Sequence, residues 1–560
     1  MKSYLLILAV LYFSLSNSQT LSINITEKKF GLDQIHLIIV SRLQNIDEYQ
    51  DIGDYNEINI RLGDRNYRFI SPPDNLSYTN SYVVEDMMSS DQFVLYFTPL
   101  PIISIETNNI IVDEPKVQAV FTYSDNEQTL SSNIGIEIRG GVSQSYPKKT
   151  YDIEFWDDEM GNLNVDMKFG HLREDDDWIL DALYNEPLRL RSYTANKLWK
   201  QIQVPYYVNY EPKAKSGADV MYVEMFLNGV YNGLYNLSEP IDRKQLKIKK
   251  FNDNLRGELY KGYNWGASTF TSLPSYNNNS RVWGGYEFEY PKSSEITDWS
   301  SLYQFTNFVI NSSESEFEND IWSRFEKDNF INYFLFLNLI RATDNTGKNI
   351  YLAKYKQGEP YFYIPWDLDG CFGTIWNGTN LNITNDILTN GFISRVIDRN
   401  PKNILIDIAN KWFENKNHVF SYASLSESVR QQYETLDNNK IYERESLVYS
   451  NYSFEIQDLN YTLDWIQNRL NFLDDYFLMM LSTIDVSITN KITFFPNPAT
   501  DKIQVDSEVS LTDNFYKIFN ANGQTIGSGY LINRQINIEK LEKGIYYVLL
   551  GNVSFKFIKK

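Results

Sequence analysis

Two short stretches near the middle of the chain carry the residue types that chemistry needs. In Arg341-Ala-Thr-Asp-Asn-Thr-Gly-Lys-Asn-Ile-Tyr-Leu352, Asp344 and Asn349 are separated by four residues. At that spacing a carboxylate can orient or deprotonate an acceptor hydroxyl while the amide oxygen holds Mg²⁺ beside phosphates. An ordinary loop turn uses the same residue types, and the spacing alone favours it. Eighteen positions past Asn349, Pro365-Trp-Asp-Leu-Asp-Gly-Cys-Phe-Gly373 sets Asp367 and Asp369 two apart beside a glycine, where both can face one divalent cation from a strand end. Two such elements in succession, with a strand-turn-strand pattern between them, favour metal and nucleotide over a β-turn with two solvated acids.

A third stretch, Ile138-Arg-Gly-Gly-Val-Ser-Gln-Ser-Tyr-Pro-Lys-Lys-Thr-Tyr-Asp-Ile-Glu-Phe155, joins two strand patterns through a Gly/Ser turn and delivers Lys148 and Lys149 to the second. Glycines let backbone N–H groups approach phosphate oxygens, and a strand-borne lysine supplies positive charge. The turn follows neither of the common nucleotide-loop spacings, and by itself it reads no better than a β-hairpin with exposed lysines.

The elements that must position these residues fall into an α+β arrangement. Residues 19–97 alternate like strands between Asp, Asn and Pro clusters and form a β-rich accessory region of unknown role. Residues 98–480 begin with strands, carry one helical stretch near Leu188–Trp199, and turn helical after Asp320, the order of a β-rich N-lobe followed by a helical C-lobe. Residues 485–560 return to short strands and turns and read as a small β-sandwich. Residues 1–18 have a basic start, a short apolar run and Ser16-Asn17-Ser18, which predicts a signal peptide cut before Gln19. No other run approaches a membrane span, so an integral membrane protein is not expected.

Composition narrows the chemistry. The 560 residues are 42% hydrophobic and 22% charged, which excludes disorder of the whole chain. A formal charge of -20 argues against nucleic acid as a partner and leaves room only for a local basic pocket. One cysteine, Cys371, and three scattered histidines exclude a disulfide framework and a multi-thiolate zinc site, and weaken Ser-His-Asp readings. Cys371 reads as a small packed residue. The run Glu174–Asp177 lacks the spacing of a calcium loop and reads as a solvated acidic turn. The segment Tyr263–Tyr286 reads as a lid or acceptor-contact loop, or equally as a disordered one.

The ordered motifs resemble the spore-coat CotH kinase family. The resemblance rests on Ile138 to Tyr151; Asp177-Trp-Ile-Leu180 with Leu188-Arg-Leu-Arg191; Tyr222-Val-Glu-Met-Phe-Leu-Asn-Gly-Val-Tyr-Asn-Gly-Leu-Tyr235 with Glu239; the Asp344 loop; and Pro365 to Gly373. It implies an atypical bilobal kinase-like fold that binds ATP and Mg²⁺, or Mn²⁺, and phosphorylates Ser or Thr of a protein substrate. Lys149 then corresponds to the phosphate-contacting lysine, with Lys148 the alternative; Asp344 to the catalytic acid; Asn349 and Asp367 to metal ligands, with Asp369 a weaker one. Arg139, Ser143 and Glu239 fall at nucleotide-side positions. The chain departs from the family pattern at Glu186, where Asp is common, at Ser192 and at Pro240.

The C-terminal pieces Phe495-Pro-Asn-Pro-Ala-Thr-Asp501, Tyr516 to Gly523, Leu541-Glu-Lys-Gly-Ile-Tyr-Tyr547 and Lys559-Lys560 resemble the type IX secretion sorting domain. That implies passage through the periplasm and outer membrane by the type IX machinery, and a secreted or cell-surface address. The alternative expectation is a catalytically inactive surface protein that uses the same fold to bind protein or glycan. Glycoside hydrolysis ranks last, because Asp367 and Asp369 are too close in sequence to flank a sugar cleft.

Overall fold

The computed structural model describes residues 19–252, 256–265, 268–488, 492–507, 514–521, 523–550 and 553–560. The expected signal peptide lies outside them. Residues 20–97 form a seven-stranded mixed sheet whose outermost strands are Thr20–Ile25 and Phe30–Asp33. Alternation in strands such as Glu57–Leu62 puts Ile58, Ile60 and Leu62 into its core. The sheet is tied to the next unit by the Asp33 carboxylate, which accepts from the Tyr231 backbone N–H at 3.0 Å, and by Tyr96, whose hydroxyl donates to Glu443 at 3.0 Å.

The β-rich lobe is a closed seven-stranded barrel. Around it run Thr129–Ile138, Tyr151–Trp156, Asp177–Asp181, Val230–Ser238, Val220–Leu227, Ile102–Glu106 and Val117–Ser124. Closure comes from parallel pairing of Glu224–Leu227 with Ile102–Ile105, a long-range pairing that local sequence pattern does not reveal. Odd-numbered residues Tyr151, Ile153 and Phe155 face the barrel core, leaving Asp152 on the outer face.

The helical lobe starts earlier than expected, at Ser300–Asn311 and Glu314–Arg324, because Ser and Asn residues between the apolar positions of the first helix dilute its periodicity. This lobe also holds a five-stranded sheet, containing Glu258–Gly262, Tyr286–Tyr290, Ile350–Lys354 and Tyr361–Pro365. Its central helix, Lys327–Ile340, is buried from Asn329 onward. That helix stops at Arg341, which adopts a left-handed φ of 52° and clamps Asp386 through two hydrogen bonds of 2.8 and 2.6 Å. The helix Ile441–Val448 turns back onto the barrel strand Val230–Ser238.

The C-terminal unit is a sandwich of a three-stranded and a four-stranded sheet around Ile503, Val505, Ile518, Val548 and Phe557. It rests on the long helix Ile456–Ile488, where the Ser554 hydroxyl donates to the Leu481 carbonyl at 2.7 Å. Among the described residues, no helix is long and apolar enough to cross a membrane.

Candidate functional site

The barrel and the helical lobe meet around a cavity of about 580 Å³. Its barrel wall starts with the glycine turn. Gly140 has a φ of 102°, and a Cβ there would stand 2.0 Å from the Ser143 hydroxyl, so only glycine closes this turn; Gly141 faces open space. Arg139 and Ser143 both line the cavity, and Arg139 lies over the Trp366 ring at 5.5 Å.

The lysine pair divides. Lys148 lines the cavity and is fully buried, its ammonium donating to Glu445 and to the Leu234 carbonyl. The other Glu445 oxygen accepts from Arg189 Nε at 2.8 Å, and the Leu234 N–H donates to Glu445 at 2.8 Å. Burial pushes the Lys148 ammonium down to about 8, against the attraction of Glu445. Lys149 is absent from the lining. Its ammonium curls back onto the carbonyls of Gln144 (2.7 Å) and Tyr146 and so braces the glycine turn. Of the two lysines, Lys148 therefore stands at the cavity and Lys149 does not. Residues of one parity in this strand enter the barrel core, and Lys148, Thr150 and Asp152 share the parity that reaches the cavity.

The helical lobe supplies the acids. Asp344 sits in the 3₁₀ turn Thr343–Thr346 directly after the central helix, and its carbonyl accepts from the backbone N–H groups of Lys348 (2.9 Å) and Asn349 (3.2 Å). Buried Asn345 donates through its side-chain amide to the carbonyls of Asn349 and Trp366, fastening this loop to the strand end that carries Asp367. The Trp366 N–H returns a bond to the Asn349 carbonyl at 3.1 Å, and the Asn349 amide reaches the Asp367 carbonyl at 3.4 Å. Asp344, Asn349, Asp367 and Asp369 therefore line one space. Asp367 is solvent-exposed, lines the cavity and adopts a left-handed φ of 53°.

Three residues that the motifs did not single out complete the site. Asp181 ends the strand Asp177–Asp181, one position past a quoted motif, while Lys261 comes from Glu258–Gly262 and Lys348 from the Asp344 loop itself. Burial and then the Asp367 charge push Asp181 up to about 6. Burial, Asp367 and Asp181 together hold Asp369 well above the carboxylate range. Asp367 is raised by burial against the pull of Arg139, Lys261 and Lys348. The Asp367 charge opposes ionisation of Asp181, Asp344 and Asp369, and crowded carboxylates of this kind are donors that a hard divalent cation such as Mg²⁺ relieves. Four cations, Arg139, Lys148, Lys261 and Lys348, line the same space, as phosphate would require.

Glu239 lies elsewhere. It is buried in the wall behind the cavity, where it accepts from the Arg173 N–H at 2.7 Å and pairs with Lys215. Glu174–Asp177 is not a solvated turn, because Asp175 and Asp176 are buried against Arg173 and Lys244. At Glu186, the departure from Asp keeps its partner: the carboxylate binds Arg191 Nη1 at 2.7 Å, and Arg191 reaches Thr462 of the long helix at 2.6 Å. Tyr263 and Trp265, at the start of Tyr263–Tyr286, stand at the cavity with Lys348 over both rings. Cys371 is buried, with its thiol pushed up by burial.

Comparison with known families matches residues 136–473 to CotH kinase protein and residues 493–560 to the secretion system C-terminal sorting domain. The first match begins inside the barrel strand Thr129–Ile138, so two barrel strands precede it. No curated protein matches the chain. The sorting domain marks the chain for type IX export to the cell surface or beyond. With more than half of its length matched, the chain belongs to the CotH kinase protein family.

Proposed function

We propose that this is an exported protein kinase that transfers the γ-phosphoryl group of ATP to Ser or Thr hydroxyls of secreted or surface proteins. The observation that carries the reading is the convergence, on one cavity between the lobes, of Asp344, Asn349, Asp367 and Asp369 with Arg139, Lys148, Lys261 and Lys348. Asp367, Asp369 and Asn349 would hold Mg²⁺, with Asp181 beside them. Bound there, the cation would supply positive charge against the phosphates.

The protein's own groups do the positioning. Lys148, fixed by Glu445, offers its ammonium to the phosphates, and Arg139 adds a planar donor set at the same wall. The open face of Gly141 admits phosphate oxygens close to the backbone. Asp344 accepts the proton of the acceptor hydroxyl as it attacks, held in register with Asn349 and Asp367 by Asn345. Tyr263 and Trp265 line the same cavity and would contact the acceptor.

The test is incubation of the purified protein with labelled ATP, Mg²⁺ and secreted proteins of the producing cell. Label transfer by the wild type that disappears in Asp344→Asn and in Asp367→Ala supports the reading. Equal labelling by the variants refutes the site. Absence of Mg·ATP binding in calorimetry, with saturable binding to an envelope polysaccharide or protein, establishes the inactive binding module instead.

A further inference from the structure

Behind the strand end Ser238–Glu239 lies a second cavity, of about 610 Å³, that the proposed transfer site does not use. Three segments enclose it: the ribbon of Met167–Lys168 paired with Glu174–Asp175, the loop preceding Val220–Leu227, and the short helix Arg243–Leu246 with its exit. Their lining holds seven Lys and Arg against three acids, a formal balance of 7 - 3 = +4 in a chain of -20.

Ion pairing sorts these cations into two groups. Arg173, Lys215 and Lys244 are committed to Asp175, Asp242, Asp219, Glu239 and Asp176, and so build the walls. Lys168, Lys213, Arg243 and Lys247 line the same space, one or two from each segment, and form no ion pair among the described residues. Arg173 Nε, a donor, is buried there without a hydrogen-bond partner. His171 reports the local potential: burial, followed by the charges of Lys200 and Lys215, holds its imidazole below the ordinary range.

We infer that this cavity binds the tetrahedral oxyanion of a phosphate monoester carried on a peptide side chain. Four cations free of ion pairs, contributed by three segments, line one space, and lysine is a point-charge phosphate binder. The space lies in the range of small-ligand sites and exceeds what a lone phosphate fills. Free inorganic phosphate shares this chemistry. The assignment stands independently of phosphoryl transfer in the first cavity.

The experiment is metal-free titration calorimetry of the full chain with three probes: inorganic phosphate, a phosphoseryl peptide and its unphosphorylated counterpart. The expected result is binding of the phosphopeptide that weakens with salt, with no binding of the unphosphorylated peptide. The double variant Lys213→Glu/Lys247→Glu weakens it by at least about tenfold, and Lys168→Glu on the opposite wall weakens it in the same direction. Arg139→Ala, in the first cavity, leaves it within about twofold, because screening isolates distant charges. Unchanged melting temperatures show that the variants fold. Wild-type affinity in the double variant, or loss in Arg139→Ala alone, overturns the site; equal affinity for phosphate and phosphopeptide overturns the peptide assignment.

Discussion

Replacing Glu445 by Gln tests whether one carboxylate holds the barrel, the helical lobe and Lys148 together. Glu445 is fully buried and binds both Lys148 and Arg189, which are also fully buried, while accepting the Leu234 N–H. A Cβ at Gly233 would stand 2.3 Å from Glu445 Oε1, so the glycine leaves the room that the carboxylate occupies against that strand. Breaking a buried ion pair by removing one partner costs about 3–5 kcal/mol, because the other charge stays desolvated. At about 2 °C per kcal/mol, the low end suited to a large body, the melting temperature falls by about 6–10 °C. Calorimetric scans of wild type, Glu445→Gln, Lys148→Met and the double variant measure it. The double variant is expected to cost less than the sum of the singles, since Lys148→Met removes one of the stranded charges. Acid titration adds a second reading. Burial alone would raise the Glu445 carboxyl, yet Arg189 and Lys148 hold it below its ordinary range. A depressed carboxyl contributes stability that is present above its unfolded value of about 4.3 and is lost as pH falls through the folded value. Wild type should therefore lose stability below about pH 4.3 more steeply than Glu445→Gln. A cost under about 1 kcal/mol together with parallel pH curves refutes the reasoning.

Lys148→Met should abolish measurable nucleotide affinity, whereas Lys149→Met, which removes only the brace of the glycine turn, should weaken it by about tenfold or less, as titration calorimetry can show. With burial setting the Lys148 ammonium near 8, kcat/KM for ATP should decline above about pH 8, and Lys148→Arg should move that decline upward. Asn345→Ala leaves the Asn349 and Trp366 carbonyls without their buried donor and should cost about 1–3 kcal/mol in denaturant unfolding while lowering kcat more than affinity. Gly140→Ala at a φ of 102° should cost about 1–3 kcal/mol and raise KM for ATP, with Tm and steady-state assays as the readouts.

The acids that line the candidate cavity were legible because they belong to local devices. Asp344 and Asn349 share one loop, and Asp367 follows a hairpin, so chain order and spacing alone bring them near one another. The lysine was ambiguous as written, since two adjacent lysines precede the strand; extending the strand's parity back from Tyr151 separates them. Glu445 gave no signal at all, because it reaches Lys148 from 297 positions away on a helix of ordinary composition. Barrel closure was hidden for the same reason, as the parallel pairing with Ile102–Ile105 depends on strands far apart in the chain. Glu239 illustrates the converse: a motif position read as nucleotide-side is, in three dimensions, the counter-charge of Lys215 behind the wall.

The most direct measurement is a crystal structure of the protein with Mg²⁺ and a non-hydrolysable ATP analogue. The expected result places the phosphates between Arg139 and Lys148 with the cation on Asp367, and leaves the Asp344 carboxylate open toward the γ-phosphate. A nucleotide bound outside this cavity, or phosphates that contact neither Lys148 nor a cation on Asp367, would contradict it.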